Sequence, residues 1–349
     1  VAHNISIQNG IEETFQAGKP AWHHLGVNVK QTQTWREAMK LAHMDWKITK
    51  EQFSHPLIAG ELIPSFGLFR ADNQKYLSTV GPAYTPIQND EAFAWVDTII
   101  GIEDGAFYET AGALGNGETI WCMVKIPQEI RIKGTDDIID PYLLFSDFRE
   151  QGKAAIVKLS TVRVVCNNTL NMSLSDGQKV MRITHVNPQS QMELAKKALQ
   201  SVKANIKNLN DTFNELTKRK MTRPTMTALL NKLFPTLEES TAAQNKARAI
   251  LEKYEFCDDN AFPSEKGSAF AMLNAITNYV DHEKTARTTD GDNPIRTRAQ
   301  SSMFGTGDIF KTQAMTAIME ITKDNPRSAA DAEVFDMGQV SKEIEDMTW

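Results

Sequence analysis

The sequence predicts an α+β fold: a twisted, mostly antiparallel sheet with packed helices, followed by a helical C-terminal part with one long heptad-patterned helix. Three observations predict it. Turn-forming residues separate short apolar, β-rich runs in the first half, helical periodicity takes over after Pro188, and one stretch of that second half repeats every seven residues.

Thr34 to Asp45 opens with Thr34 and Glu37 at capping-box spacing and predicts a short helix. Leu62 to Arg70 and Gln74 to Val80 flank Ala71-Asp72-Asn73 and predict a hairpin. Pro86 to Gly101 predicts a helix, with Asn89 or Asp90 as its cap and Phe93, Val96, Ile99 and Ile100 on its apolar face. The clearest β signal is Phe107 to Leu114 and Glu118 to Ile126 around Gly115-Asn116-Gly117, because glycine and asparagine accept the positive φ of a tight hairpin. Tyr142 to Phe145, Ala154 to Leu159 and Val162 to Cys166 predict further strands, with a turn over Asp147 to Gly152.

Ser190 to Arg219 predicts a long helix. Its apolar positions Ala195, Leu199, Val202, Ile206, Leu209, Phe213 and Leu216 alternate steps of four and three, a heptad seam. Such a seam packs either along its own domain or against a neighbouring subunit, and the residues leave both readings open. Pro224 suits the first turn of a helix reaching Phe234, and Thr241 to Tyr254, Ser264 to Thr285 and Asp308 to Lys323 predict the remaining helices. The expected organisation is a sheet-containing domain over 1–188, a helical region over 189–323 and a flexible acidic tail over 324–349.

Composition narrows the class. With 41% hydrophobic and 23% charged residues the chain supports a substantial core. No apolar run has the length of a membrane span, and Val1 to Phe15 lacks the layout of a signal peptide. Cys122, Cys166 and Cys257 are odd in number and widely spaced, which argues against a disulfide framework and fits a reducing cytoplasm.

Motifs for chemistry are sparse. Trp22-His23-His24, His185 and Asp281-His282-Glu283 lack the spacing of a metal site. Gly112 to Gly117 resembles a glycine loop, but strands flank it, whereas a phosphate cradle needs a helix N-terminus. Ser160-Thr161 and Cys166 have no neighbouring base, and Asp136-Asp137 and Asp258-Asp259 read as solvated turns. No cofactor is expected.

Charge distribution is more informative than the net charge of −6. Residues 149–232 hold 15 Lys/Arg against 5 Asp/Glu, whereas 320–349 hold 8 acids against 3 bases. Lys153, Lys158, Arg163, Lys179 and Arg182 lie among the strands, and Lys218, Arg219, Lys220 and Arg223 cluster at the end of the heptad helix. A cationic strip of this kind tracks phosphates, and Trp121, Tyr142, Phe145 and Phe148 are nearby rings for stacking on bases. The bland alternative is that these lysines are solvated and favoured by the helix dipole. The tail Glu343 to Trp349 is similar to the acidic tips of bacterial single-strand-binding proteins, which dock on protein partners.

Several blocks together carry a family resemblance: Pro20-Ala21-Trp22-His23-His24-Leu25-Gly26, Thr85 to Phe93, Gly112 to Pro127, Tyr142 to Ala154, Thr161 to Leu174, His185, and Leu273 to Arg287. In this order they resemble the phage/plasmid-like family known as domain of unknown function 932. Where that family often has a Ser-His-Asp-Gly type of turn, this chain reads Ser146 to Gly152 without the histidine. The resemblance implies a mobile-element origin and brings no activity with it. By fold-level analogy, a hairpin-rich sheet beside a helix and a basic strip is similar to ring-forming single-strand annealing proteins.

The expected function is therefore that of an oligomeric, cytoplasmic nucleic-acid-binding protein. It would bind single-stranded DNA in annealing, recombination or DNA protection, with no membrane involvement. Two alternatives stay open: a metal-dependent nuclease or nucleotidyl-transfer enzyme using His185 or Asp281, and an anti-defence factor that binds a host protein.

Overall fold

A computed structural model describes residues 5–17, 27–29, 34–100, 106–133, 135, 137–163, 169–172, 181–199, 202–256, 266–284, 301–302 and 305–326. The fold is α+β with mostly antiparallel sheets. The chain divides into two compact units: Val1–Gln128, Pro141–Ser160 and Met172–Asn205 form the first, and Glu129–Asp140, Thr161–Asn171 and Ile206–Trp349 the second. The last of these changes of unit along the chain falls after Asn205. The expected tail beyond Pro326 lies outside the described residues.

The strands are β1 (Ile7–Gln8), β2 (Ile11–Glu12), β3 (Thr14–Ala17), β4 (Val27–Val29), β5 (Ile48–Ser54), β6 (Leu62–Arg70), β7 (Tyr76–Val80), β8 (Phe107–Leu114), β9 (Thr119–Lys125), β10 (Ile130–Arg131), β11 (Ile138–Phe148), β12 (Ala155–Arg163), β13 (Thr169–Met172) and β14 (Met181–Ile183). The main sheet runs β13-β12-β11-β9-β8-β3-β4, with β10 on β11 and β14 on β12, while β5-β6-β7 form a separate three-stranded sheet. Only the pairing of β3 with β4 is described as parallel.

The β8–β9 hairpin forms where the turn chemistry places it, with Gly115 at φ +68° and Gly117 at +112°. The strands expected over Ala154–Leu159 and Val162–Cys166 run together as β12 as far as Arg163, and residues 164–166 lie outside the described residues. Ser160 and Thr161, which look like a break in sequence, continue the strand as small buried residues. Trp121, Tyr142 and Phe145 are core residues, so these three rings are not surfaces for stacking.

Helices α1 (Trp35–Leu41) and α2 (Asn89–Ile100) and the helix α3 (Pro188–Leu199) belong to the first unit. Thr34 caps α1 by accepting from the Glu37 N–H at 3.3 Å. Asn89 does not spend its side chain as a cap. Its amide donates to the carbonyls of Met44 (2.8 Å) and Trp46 (3.1 Å). On the inner side of α2, Phe93 stacks on Tyr108 and Trp95 meets Phe145.

The second unit holds most of α4 (Val202–Leu216), then α5 (Arg223–Leu233), α6 (Thr241–Phe256), α7 (Ala269–Asn278), a π-helical turn over Tyr279–Glu283, and α8 (Thr306–Ile321). Ile206, Leu209, Phe213 and Leu216 of the heptad seam are buried here, with the Phe213 and Phe270 rings 5.7 Å apart. This half of the seam packs along its own unit. The expected helix over 264–285 begins at Ala269, where Ser268 caps it, and ends in the π turn. Asn214 ties α4 to β10 by donating to the Arg131 carbonyl (3.0 Å) and accepting from the Lys133 N–H (2.8 Å).

Candidate functional site

The basic residues separate by surroundings. In the first unit Lys153 is exposed and pairs with Glu150 at 2.7 Å. Arg182 is exposed on β14 opposite Ile156. Lys158 is only 2% exposed, so it does not extend an outer strip; β12 is an interior strand that buries both faces here. Arg163 ends β12 with its side chain outside the described residues, where Lys179 also lies.

In the second unit the four remaining bases gather between α4 and α5. The Lys218 side chain is 68% exposed, 3.6 Å from Glu215. Arg219 lies at the same distance from Glu215 and donates to the Met319 carbonyl at 2.9 Å. The backbone here is stitched into the unit: Lys220 N–H donates to Asn325 and Ala269 N–H to Arg219. Arg223 is exposed at the start of α5, which Thr222 caps through a reciprocal bond with Thr225.

The sequence reading missed a buried charged network in the first unit. Arg70 closes β6 with all five guanidinium donors used. Its terminal nitrogens hold both Glu13 oxygens at 2.7 Å, Nε and Nη2 hold Asp72 at 3.0 and 2.7 Å, and Nη1 donates to the Asn116 carbonyl at 3.1 Å. Burial pulls its pKa down, but the bonds to Glu13 and Asp72 outweigh this and hold it above the ordinary arginine value. The guanidinium lies 4.0 Å from the centroid of Trp46, and that of Arg149 lies 5.0 Å from the same ring. Gly117 is required beside them, since a Cβ there would sit 2.7 Å from the indole.

Arg149 donates to the Gly117 carbonyl (3.2 Å), to Asn89 Oδ1 and to Asp147 Oδ2 (3.2 Å). Burial lowers its pKa, with Asp147 opposing. The other oxygen of Asp147 lies 3.1 Å from His185 Nε2, yet out of line for a hydrogen bond. Asp147 and His185 are 0% and 3% exposed. The imidazole stacks on Tyr84 with centroids 4.3 Å apart, and the His185 carbonyl accepts from Thr85 N–H at 2.7 Å. Asp147 Oδ1, both His185 nitrogens and Tyr84 Oη have no hydrogen-bond partner among the described residues. Burial, reinforced by the Asp147 charge, pushes the Tyr84 phenol well above its usual range, so it stays protonated.

One signal pointed this way. Asp147 and Arg149 are two residues apart at a strand end, so their side chains share a face. Their partners Asn89 and His185 are too distant in sequence to be paired from it.

In the second unit the π turn presents Asp281 to Lys311, whose Nζ donates at 2.8 Å and also reaches Ser302 Oγ at 3.0 Å; Ser302 in turn donates to Asp281. Lys311 is fully buried, and Asp281 is its ion-pair partner there. His185 and Asp281 therefore each engage different neighbours. Asp137, read as part of a solvated turn, is buried. Asp136, His23, His24, Asp258 and Asp259 lie outside the described residues. Among the described residues no three His, Cys, Asp or Glu side chains come together as a metal site, and no helix is long and apolar enough to cross a membrane.

These features define an α+β protein that draws charged side chains inward around one tryptophan and leaves Lys218 and Arg223 exposed on its helical unit. Residues 76–302 match the family described as Domain of unknown function (DUF932), and the chain belongs to that family. The match covers the β8–β9 hairpin, the Asp147–Arg149 segment, His185 and Asp281. No curated protein and no solved structure matches the chain.

Proposed function

We propose that this chain binds single-stranded nucleic acid through exposed basic side chains, without covalent chemistry. The observation that supports it most is the Lys218–Arg223 segment, four bases in six residues, with Lys218 and Arg223 exposed. A cationic projection of this kind gains affinity by releasing the counterions of a phosphate backbone. Arg182 and Lys153 supply exposed positive charge on the other unit. The finer reading is an oligomer that anneals or protects DNA inside the cell, in a mobile-element setting.

The test is fluorescence anisotropy of a labelled single-stranded oligonucleotide with the full-length protein and the K218E/R223E variant. Both positions are exposed, so the fold should be kept. The variant is expected to bind more weakly, with the slope of log K against log salt reduced by about one for each phosphate contact removed. Unchanged affinity and slope would place the nucleic-acid surface elsewhere, and no binding by either protein would overturn the proposal.

A further inference from the structure

The buried Asp147–His185–Tyr84 cluster carries an inference that rests on the nucleic-acid reading. Native interiors leave few polar atoms unpaired, because each costs the desolvation that a hydrogen bond would otherwise offset. Here four such atoms from three side chains lie together, and the side chains come from three separate segments. Arg149 uses its donors on Gly117, Asn89 and Asp147 Oδ2, so it fixes the carboxylate without satisfying Oδ1. A carboxylate oxygen, which only accepts, thus stands 3.1 Å from an imidazole nitrogen able to donate, and the two are not bonded to each other. Asp147 and Arg149 cancel in charge, which suits an uncharged ligand.

We infer that this cluster grips the Watson–Crick edge of one unpaired nucleobase. Every base presents a donor next to an acceptor on that edge, and pairing in a duplex hides it. Asp147 Oδ1 accepts from the base N–H, and an imidazole N–H of His185 donates to the neighbouring ring nitrogen or carbonyl. Tyr84 is the cover: its hydroxyl bonds nothing among the described residues, its ring is held by the stack on His185, and its chain neighbours Ala83 and Thr85 are exposed. A ring that swings aside there gives the base an aromatic surface as well as hydrogen bonds. Such a grip would favour single strands over duplexes without discriminating among sequences.

The experiment compares a single-stranded oligonucleotide with an abasic backbone of equal length and charge, titrated against the full-length protein. Wild type is expected to favour the base-bearing strand by about tenfold or more. H185Q and D147N should erase that difference while keeping the salt slope, and Y84L, which removes the ring, should reduce it, whereas Y84F, which keeps the ring, should retain it. Salt-dependent binding with no preference for bases in the wild type would overturn this inference and leave the basic surface standing. Failure of the wild type to bind either strand would overturn both.

Discussion

Arg70 and Glu13 form a two-pronged ion pair at 2.7 Å on each prong, with both side chains buried. It links β6 to the residue just before β3, so the three-stranded sheet and the main sheet of the first unit share one electrostatic anchor. Removing one member of such a pair strands the other in a low-dielectric interior. E13Q and R70M are each expected to destabilise the first unit by about 3–5 kcal/mol. R70K should behave similarly, because a lysine cannot serve Glu13, Asp72 and the Asn116 carbonyl from one planar fork. Urea unfolding followed by circular dichroism measures this; an R70K curve that overlays wild type would sink it.

Asp72 provides the pH dependence. Burial raises its pKa, but the Arg70 bonds more than compensate and hold the carboxyl below its ordinary value. A carboxylate depressed on folding contributes stability that is present above its unfolded pKa and lost as pH falls through the lower, folded value. The protein is therefore expected to lose stability below about pH 4, and D72N should flatten that part of the profile. Thermal melts of both proteins between neutral pH and pH 2 test it, and parallel profiles would contradict it.

The Asp281–Lys311 pair anchors α8 to the π turn of the second unit. K311M is expected to cost about 3–5 kcal/mol, and the double variant D281N/K311M less than the sum of the two single changes. Additive losses in a double-mutant cycle would mean that the two side chains are not coupled.

How far the fold was legible depended on the range of the interactions involved. The β8–β9 hairpin is written into three consecutive residues, Gly115-Asn116-Gly117, and the cap at Thr34 into the next turn of its helix. Arg70 and Arg149 were illegible for the opposite reason, since Glu13 and Asn89 lie 57 and 60 residues away. Lys158 looked like surface charge because lysine seldom enters a core, and its burial follows from the interior position of β12. Of the basic strip drawn from sequence, Lys218 and Arg223 are exposed five positions apart in the chain, whereas the Asp147–His185–Tyr84 cluster gave only the i,i+2 spacing of Asp147 and Arg149.

The heptad seam makes a separate prediction. Phe213 is buried against Phe270 within the second unit, so F213A should destabilise folding by about 3–5 kcal/mol through the cavity it leaves. It should leave the native particle mass unchanged. Mass photometry beside thermal melting separates the outcomes: a smaller particle with an unchanged melting temperature would assign Phe213 to a subunit interface.

Cys122 is buried, and burial pushes its thiol far above the normal range. In a C166S/C257S background it should resist a thiol reagent in the native state and react once denatured. Rapid native labelling would show that this part of the main sheet opens.

Nucleic-acid binding itself is tested by the affinity of the full-length protein for a single-stranded oligonucleotide across a salt series. Binding at low salt should fall linearly on a log–log plot, with a slope set by the number of phosphates contacted. Absence of binding at the lowest salt, or an affinity that does not change with salt, would contradict it and turn attention to a protein partner.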